Sequence, residues 1–216
     1  MKGLLLKDML ILKNQKKTML MIVILGIALS LTMQITSVIV YFMMLGCMLA
    51  LGTFAYDEMD NGYSFLFTLP VSRKTYVREK YLFMITWVLI CAVFGIICCG
   101  ILVLTGLGKL ENGWSDIPEY TLSMLTVILL IIAVSIPLRV KFGSERSRIV
   151  IYIIVGAGLL LGVITSRIAG PAAESAKALI AGLDPAKVIP ILAAVSVILL
   201  LISEQITQKI IAKKEF

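Results

Sequence analysis

Residues 18–56 read TMLMIVILGIALSLTMQITSVIVYFMMLGCMLALGTFAY, thirty-nine residues from Thr18 to Tyr56 without one Asp, Glu, Lys or Arg. A helix crosses the hydrocarbon of a bilayer with about 20 residues, so this run holds two crossings and a turn between them. The turn falls at the polar cluster Thr32, Gln34, Thr36 and Ser37. The whole chain agrees: of 216 residues 60% are hydrophobic, 15% are charged, and the mean hydropathy is +1.02. A soluble domain carries nearer to about a quarter of charged residues. The chain therefore reads as an all-α integral membrane protein of a single domain, with its length consumed by spans.

Downstream of that run, Tyr56–Tyr81 is the longest segment that a bilayer excludes. It holds four acids (Asp57, Glu58, Asp60, Glu79) and four bases (Arg73, Lys74, Arg78, Lys80) around Tyr63, Phe65, Leu66, Phe67 and Leu69. Asn61-Gly62 and Pro70 punctuate it, and Ser72 is placed to cap the helix that enters the next span. The aromatic cluster has two readings: an aromatic belt touching lipid headgroups, or a short amphipathic element that fits a groove on a partner, with Arg73, Lys74 and the acids as a polar rim. Upstream, residues 1–17 carry Lys2, Lys7, Lys13, Lys16 and Lys17 among leucines, an interfacial segment. At 100° per residue Asp8 falls on the face of Leu4, Leu5, Ile11 and Leu12, so it needs a partner there.

Further outward, a third span is expected over Tyr81–Leu107. An interfacial loop with Trp114 follows, then a fourth span over Tyr120–Leu138 with Pro137 near its end. A basic loop, Arg139–Arg148, leads to a fifth span at Ile149–Ser166. Residues 167–187 are too polar to span. Pro171, the stretch Ala172–Ala181 and Gly182 suit a short helix on the outer, extracellular surface. A sixth span covers Val188–Gln208, and Lys209, Lys213 and Lys214 follow it. Six spans put both termini on one side, where sixteen of the twenty Lys and Arg residues collect, and only Lys109, Arg167, Lys177 and Lys187 fall opposite. By the positive-inside rule both termini, and the segment at 57–80, are cytoplasmic.

Several chemistries are excluded or weakened. No histidine occurs, which removes the commonest general base and metal ligand. Cys47, Cys91, Cys98 and Cys99 lie in apolar runs without zinc or disulfide spacing, and act as small hydrophobes. The net charge of +7 comes from bases flanking spans and implies topology, not nucleic acid. No ionisable group falls at mid-span, which argues against an ion-coupled carrier. No Gly-rich phosphate loop ending in Gly-Lys-Ser/Thr is present, so neither a catalytic nor a cofactor residue is assigned, and any pumping takes its energy from a partner. In the fifth span Gly158 and Gly162 stand at small-x-x-x-small spacing, suiting either a dimer interface or packing within the chain.

The opening Met1–Asp8, the string Asp57-Glu58-x-x-Asn61-Gly62-Tyr63, the string Thr68-Leu69-Pro70-Val71-Ser72-Arg73-Lys74, Val77 and Lys80-Tyr81 together resemble the short six-span permeases of type-2 ABC exporters. The likeness extends over essentially the whole chain. It implies a coupling helix between spans two and three that seats in a separate cytoplasmic ATPase, with contacts from Asp57, Glu58, Asn61, Gly62, Tyr63, Phe65, Leu66, Phe67, Leu69, Pro70 and Arg73. It also implies two permeases, identical or paralogous, with two ATPase copies that bind ATP and Mg, so that this chain holds no cofactor. Permeases of this size are similar to exporters of amphipathic peptides in bacterial plasma membranes, cytolytic peptides, bacteriocins and peptide antibiotics among them. The readings from other classes are a membrane scaffold or sensor whose cytoplasmic loop recruits a partner, and an ion-coupled carrier.

Overall fold

Long uninterrupted apolar runs leave the backbone only its own hydrogen bonds, and every element of the computed structural model is accordingly helical. It describes residues 2–30, 34–59, 62–68, 72–106, 113–153, 156–157 and 185–214. In order these form α1 (Lys2–Asn14), α2 (Lys16–Ser30), α3 (Ser37–Glu58), α4 (Gly62–Thr68), α5 (Arg73–Leu104), α6 (Asp116–Phe142) and α7 (Pro185–Lys213). A 3-10 turn, Gly113–Ser115, precedes α6, and residues 144–153 are helical after the turn at Gly143.

Among the described residues four helices are long and apolar enough to cross a membrane: Ser37–Glu58, Arg73–Leu104, Gly113–Phe142 and Val188–Lys213. Six were expected. The first expected span begins in α2 (Lys16–Ser30), and the residues that follow it, 31–33, lie outside the described residues. The fifth and the outer helix at 167–187 lie mostly outside the described residues, except that 185–187 already belong to α7.

Most boundaries extend into the charged flanks, while α5 stops at Leu104, before the expected Leu107. α5 starts at Arg73 rather than Tyr81, because Ser72 caps it, its side chain accepting from the Thr75 N–H at 3.1 Å. α3 continues through Asp57 and Glu58, and α6 runs on to Phe142 past Pro137. The segment at 57–80 is thus mainly helix: the last turn of α3, then α4, then two turns of α5.

Neighbouring contacts set the directions. Tyr41 Oη donates to the Ile22 carbonyl while Gln15 Nε2 donates to Tyr56 Oη, so α2 runs against α3. Lys80 meets Thr53 and Gly95 meets Ile39, so α5 also opposes α3. The α3–α5 seam is close. A Cβ on Gly46 would lie 2.4 Å from Cys91 Sγ, and one on Gly95 3.1 Å from Ile39 Cα. Tyr81 Oη shares hydrogens with Ser203 (2.7 Å) and Thr207 (3.0 Å) of α7, and the Ser203 hydroxyl donates to the Ala133 carbonyl of α6. Hydroxyls of this kind join helices where lipid supplies no hydrophobic drive. Ile39, Met43, Phe54, Tyr76, Met84, Ile128, Ile132 and Ile136 fill the interior, while Val93, Ile97 and Ile101 of α5 and Ile191, Val195 and Ile198 of α7 form apolar outer stripes. The ends of α3, α6 and α7 and the starts of α2 and α5 meet at one end of the bundle.

Candidate functional site

That end is built on a charge cluster. On α1, Leu4, Asp8 and Leu12 recur every four residues and are buried, so one face packs onto α3 and α5 and carries a carboxylate inward. Asp8 finds Lys80 Nζ at 2.5 Å. The same ammonium lies 2.7 Å from Asp57 Oδ2, 3.2 Å from Thr53 Oγ1 and 5.0 Å above the Phe54 ring. Lys7 pairs with Asp57 Oδ1 and stands 3.2 Å from Asp8 Oδ1. Tyr76 Oη donates to Asp57 Oδ2 at 2.9 Å. Two ammoniums and two carboxylates therefore balance each other, Lys80, Asp8 and Asp57 buried and Lys7 partly exposed at the edge. Glu79 is fully buried beside them, and neither of its oxygens has a hydrogen-bond partner among the described residues. Burial works against the charge on Lys7, but the Asp57 and Asp8 carboxylates outweigh it and hold its pKa above the ordinary lysine value.

α4 sits on this cluster. Gly62 is tucked so closely under α3 that a Cβ would come within 2.6 Å of the Asp57 carbonyl oxygen, a space only glycine fits. Tyr63 and Leu66 point into the chain's own core and are buried. The Tyr63 ring stands edge-on to Tyr76, centroids 5.9 Å apart, with the two hydroxyls 3.5 Å apart. Burial pushes the Tyr63 phenol well above its ordinary pKa. Lys214 lies over the Tyr63 ring at 5.8 Å and donates to the Val140 carbonyl at 3.0 Å. Arg73 Nη1 donates to the carbonyls of Ile211, Ala212 and Lys214 at 3.0–3.2 Å, closing the C-terminus of α7 with a positive charge. Glu58 Oε2 accepts from the Ser144 N–H at 2.7 Å, and Gly143 turns there at φ +84°.

The residues singled out from the sequence are therefore divided. Asp57, Glu58, Gly62, Tyr63, Leu66 and Arg73 converge on the polar end, but their side chains are engaged within the chain rather than turned outward as a rim. Asp57 is drawn inward by Lys7 and Lys80, and Glu58 is held by the Ser144 N–H. Thr68 is exposed on α4. Asn61, Leu69, Pro70 and the side chains of Phe65 and Phe67 lie outside the described residues, as do Gly158 and Gly162. Lys7, Lys80 and Tyr76 were not singled out as site residues. The one signal pointing to them was Asp8 on an apolar face. Among the described residues no group of His, Cys, Asp and Glu is arranged to hold a metal, and the four cysteines are free.

Residues 3–212 match the family model described as ABC-2 family transporter protein. No curated protein and no solved structure matches the chain. Proteins of this family are membrane subunits that generally work with an ABC ATPase and are not ATPases themselves. A match over nearly the whole length, with the described residues all helical and four of their helices able to cross a membrane, leaves one assignment: the chain belongs to the ABC-2 family of transporter membrane proteins, as a type-2 ABC permease.

Proposed function

We propose that this permease exports amphipathic peptides from a bacterial cell, with both termini and α4 on the cytoplasmic side of the plasma membrane. Two copies of the chain, or one with a paralogue, work with two ATPase subunits that hold ATP and Mg. The orientation rests on the sixteen Lys and Arg residues gathered at one end. The peptide cargo rests on the sequence resemblance, together with spans free of mid-membrane charge.

The observation that carries the coupling role is the placement of α4. This seven-residue helix is wedged where α3, α6 and α7 end and α5 begins, and Tyr63 connects it through Tyr76 to Asp57, Lys80 and Asp8. A force on α4 reaches α1, α3 and α5 through these side-chain contacts. Closure of an ATPase dimer on ATP would supply that force and switch the pathway between the permeases. Tyr63 and Leu66 serve as the root of the coupling helix. Among the described residues of α4 the outward contact then falls to Thr68.

Purification of the tagged permease from its native membrane, followed by mass spectrometry and an ATPase assay, tests this reading. An ABC ATPase in stoichiometric amount is expected. Thr68→Trp should release it while the permease unfolds at an unchanged temperature. Retention of the ATPase and of peptide-stimulated hydrolysis in Thr68→Trp would remove α4 from the interface.

A further inference from the structure

We propose that the cavity between α3, α6 and the helix at 144–153 seats one anionic membrane lipid, its phosphate held by Arg139 and Arg148 and an acyl chain running along the apolar wall. The cavity has a volume of about 450 Å³. Met44, Met48, Leu51, Ile131, Ile151 and Tyr152 give it an adaptable apolar lining. Both arginines line the same space.

Arg139 has an unmet need. It is 7% exposed, its Nη1 donates to the Leu51 carbonyl at 3.1 Å, and its Nε has no partner among the described residues. No described carboxylate makes an ion pair with it. Glu58, the acid on the adjoining helix end, is turned to the Ser144 N–H. Glu58 is thus a counter-charge felt at a distance and not a bonded partner, the neighbouring Arg148 charge opposes it, and a phosphate between the two arginines would match the forked donors of both. Arg148 is nearly half-exposed and, among the described residues, makes an ion pair with Glu145, itself 83% exposed, at 3.5 Å. Such a surface pair contributes little and leaves Arg148 available to turn inward.

Depth points to a lipid. Arg139 lies within a turn of the end of α6, at the charged end of the bundle. From Met44 to Gly52, and again from Ile131 to Arg139, the wall runs about 12 Å along a helix at 1.5 Å per residue, most of one leaflet's hydrocarbon. Headgroup charge at the polar end and chain-length apolar surface below it fit a phospholipid, and basic pockets between membrane helices take anionic headgroups. The proposal is independent of the cargo and of the ATPase partner.

Native mass spectrometry of the full-length protein in detergent tests it, titrating phosphatidylglycerol, phosphatidylcholine with the same chains, and glycerol phosphate. The expected result is one phosphatidylglycerol retained per chain at least tenfold more tightly than phosphatidylcholine, with no binding of glycerol phosphate at the same concentration. Arg148→Gln should weaken retention at least fivefold. Gly52→Leu fills the cavity from a position where a Cβ meets nothing within 4 Å; it should abolish retention while unfolding no earlier than wild type. Equal retention of the two lipids, or phosphatidylglycerol bound unchanged in both variants, would overturn the proposal. So would tighter binding of an amphipathic peptide through its C-terminal carboxylate, lost in both variants, without any lipid preference.

Discussion

Lys80 is the residue on which the polar end depends. Replacing it by Met would leave Asp8 and Asp57 buried with one ammonium between them, and breaking a buried pair from one side costs about 3–5 kcal/mol. Lys80→Met should lower the unfolding midpoint in detergent accordingly, and adding Asp57→Asn to it should recover part of the loss. Glu79 predicts the opposite. The other four charges balance without it and its oxygens are unpartnered among the described residues, so Glu79→Gln should be at least as stable as wild type by the same measurement. Lys7 gives a pH test. Its folded pKa is raised above the ordinary 10.5, so its contribution is complete below that value and fades as pH rises through the raised one. The destabilisation caused by Lys7→Met should therefore be equal at neutral pH and at about pH 9; a loss that shrinks towards pH 9 would mean the ammonium is not held by Asp57 and Asp8. Half of this cluster was legible in the sequence. A carboxylate at position 8 among Leu4, Leu5, Ile11 and Leu12 demands a cation. Which cation was not legible, because Lys80 is seventy-two residues away and is one of several bases in a segment that reads as solvated.

Helices meet here through glycine, hydroxyls and chain ends. Gly46 and Gly100 look alike in the sequence, each a glycine in an apolar helix, yet only Gly46 has a neighbour in its way. Gly46→Ala forces Cys91 aside and should lower the unfolding temperature, whereas Gly100→Ala, with nothing within 4 Å, should hold or raise it by improving helix propensity. Equal effects would mean that the α3–α5 seam is looser than described. The cap at Ser72 was legible because a hydroxyl before a run of helix formers has one local use. The extension of α5 back to Arg73 was not, because charges at 73–80 argue for a loop until Lys80 is matched to Asp8 and Asp57 and Arg73 to the carbonyls ending α7. α4 was legible as an aromatic element. Its inner face was not, since an aromatic cluster suits a partner's groove and the chain's own core equally well.

For the whole molecule, composition and run length were enough to establish a helical membrane protein, and the strings around Asn61-Gly62-Tyr63 and Thr68–Lys74 pointed to the family that the match over residues 3–212 shows. Charge counting assigned one end of the bundle to the cytoplasm, and that end is where the ion pairs, the closing of α7 by Arg73 and α4 come together. Coupling at this end requires the ATPase to touch Thr68 and not the opposite pole, where Trp114 stands 60% exposed before α6. The most direct measurement places a photo-activated cross-linker at position 68 and, separately, at position 114, in membranes containing the ATPase. Linkage of the ATPase from 68 alone is the expected result; linkage from 114, or from neither position while the complex stays intact, would contradict the placement of α4 at the ATPase.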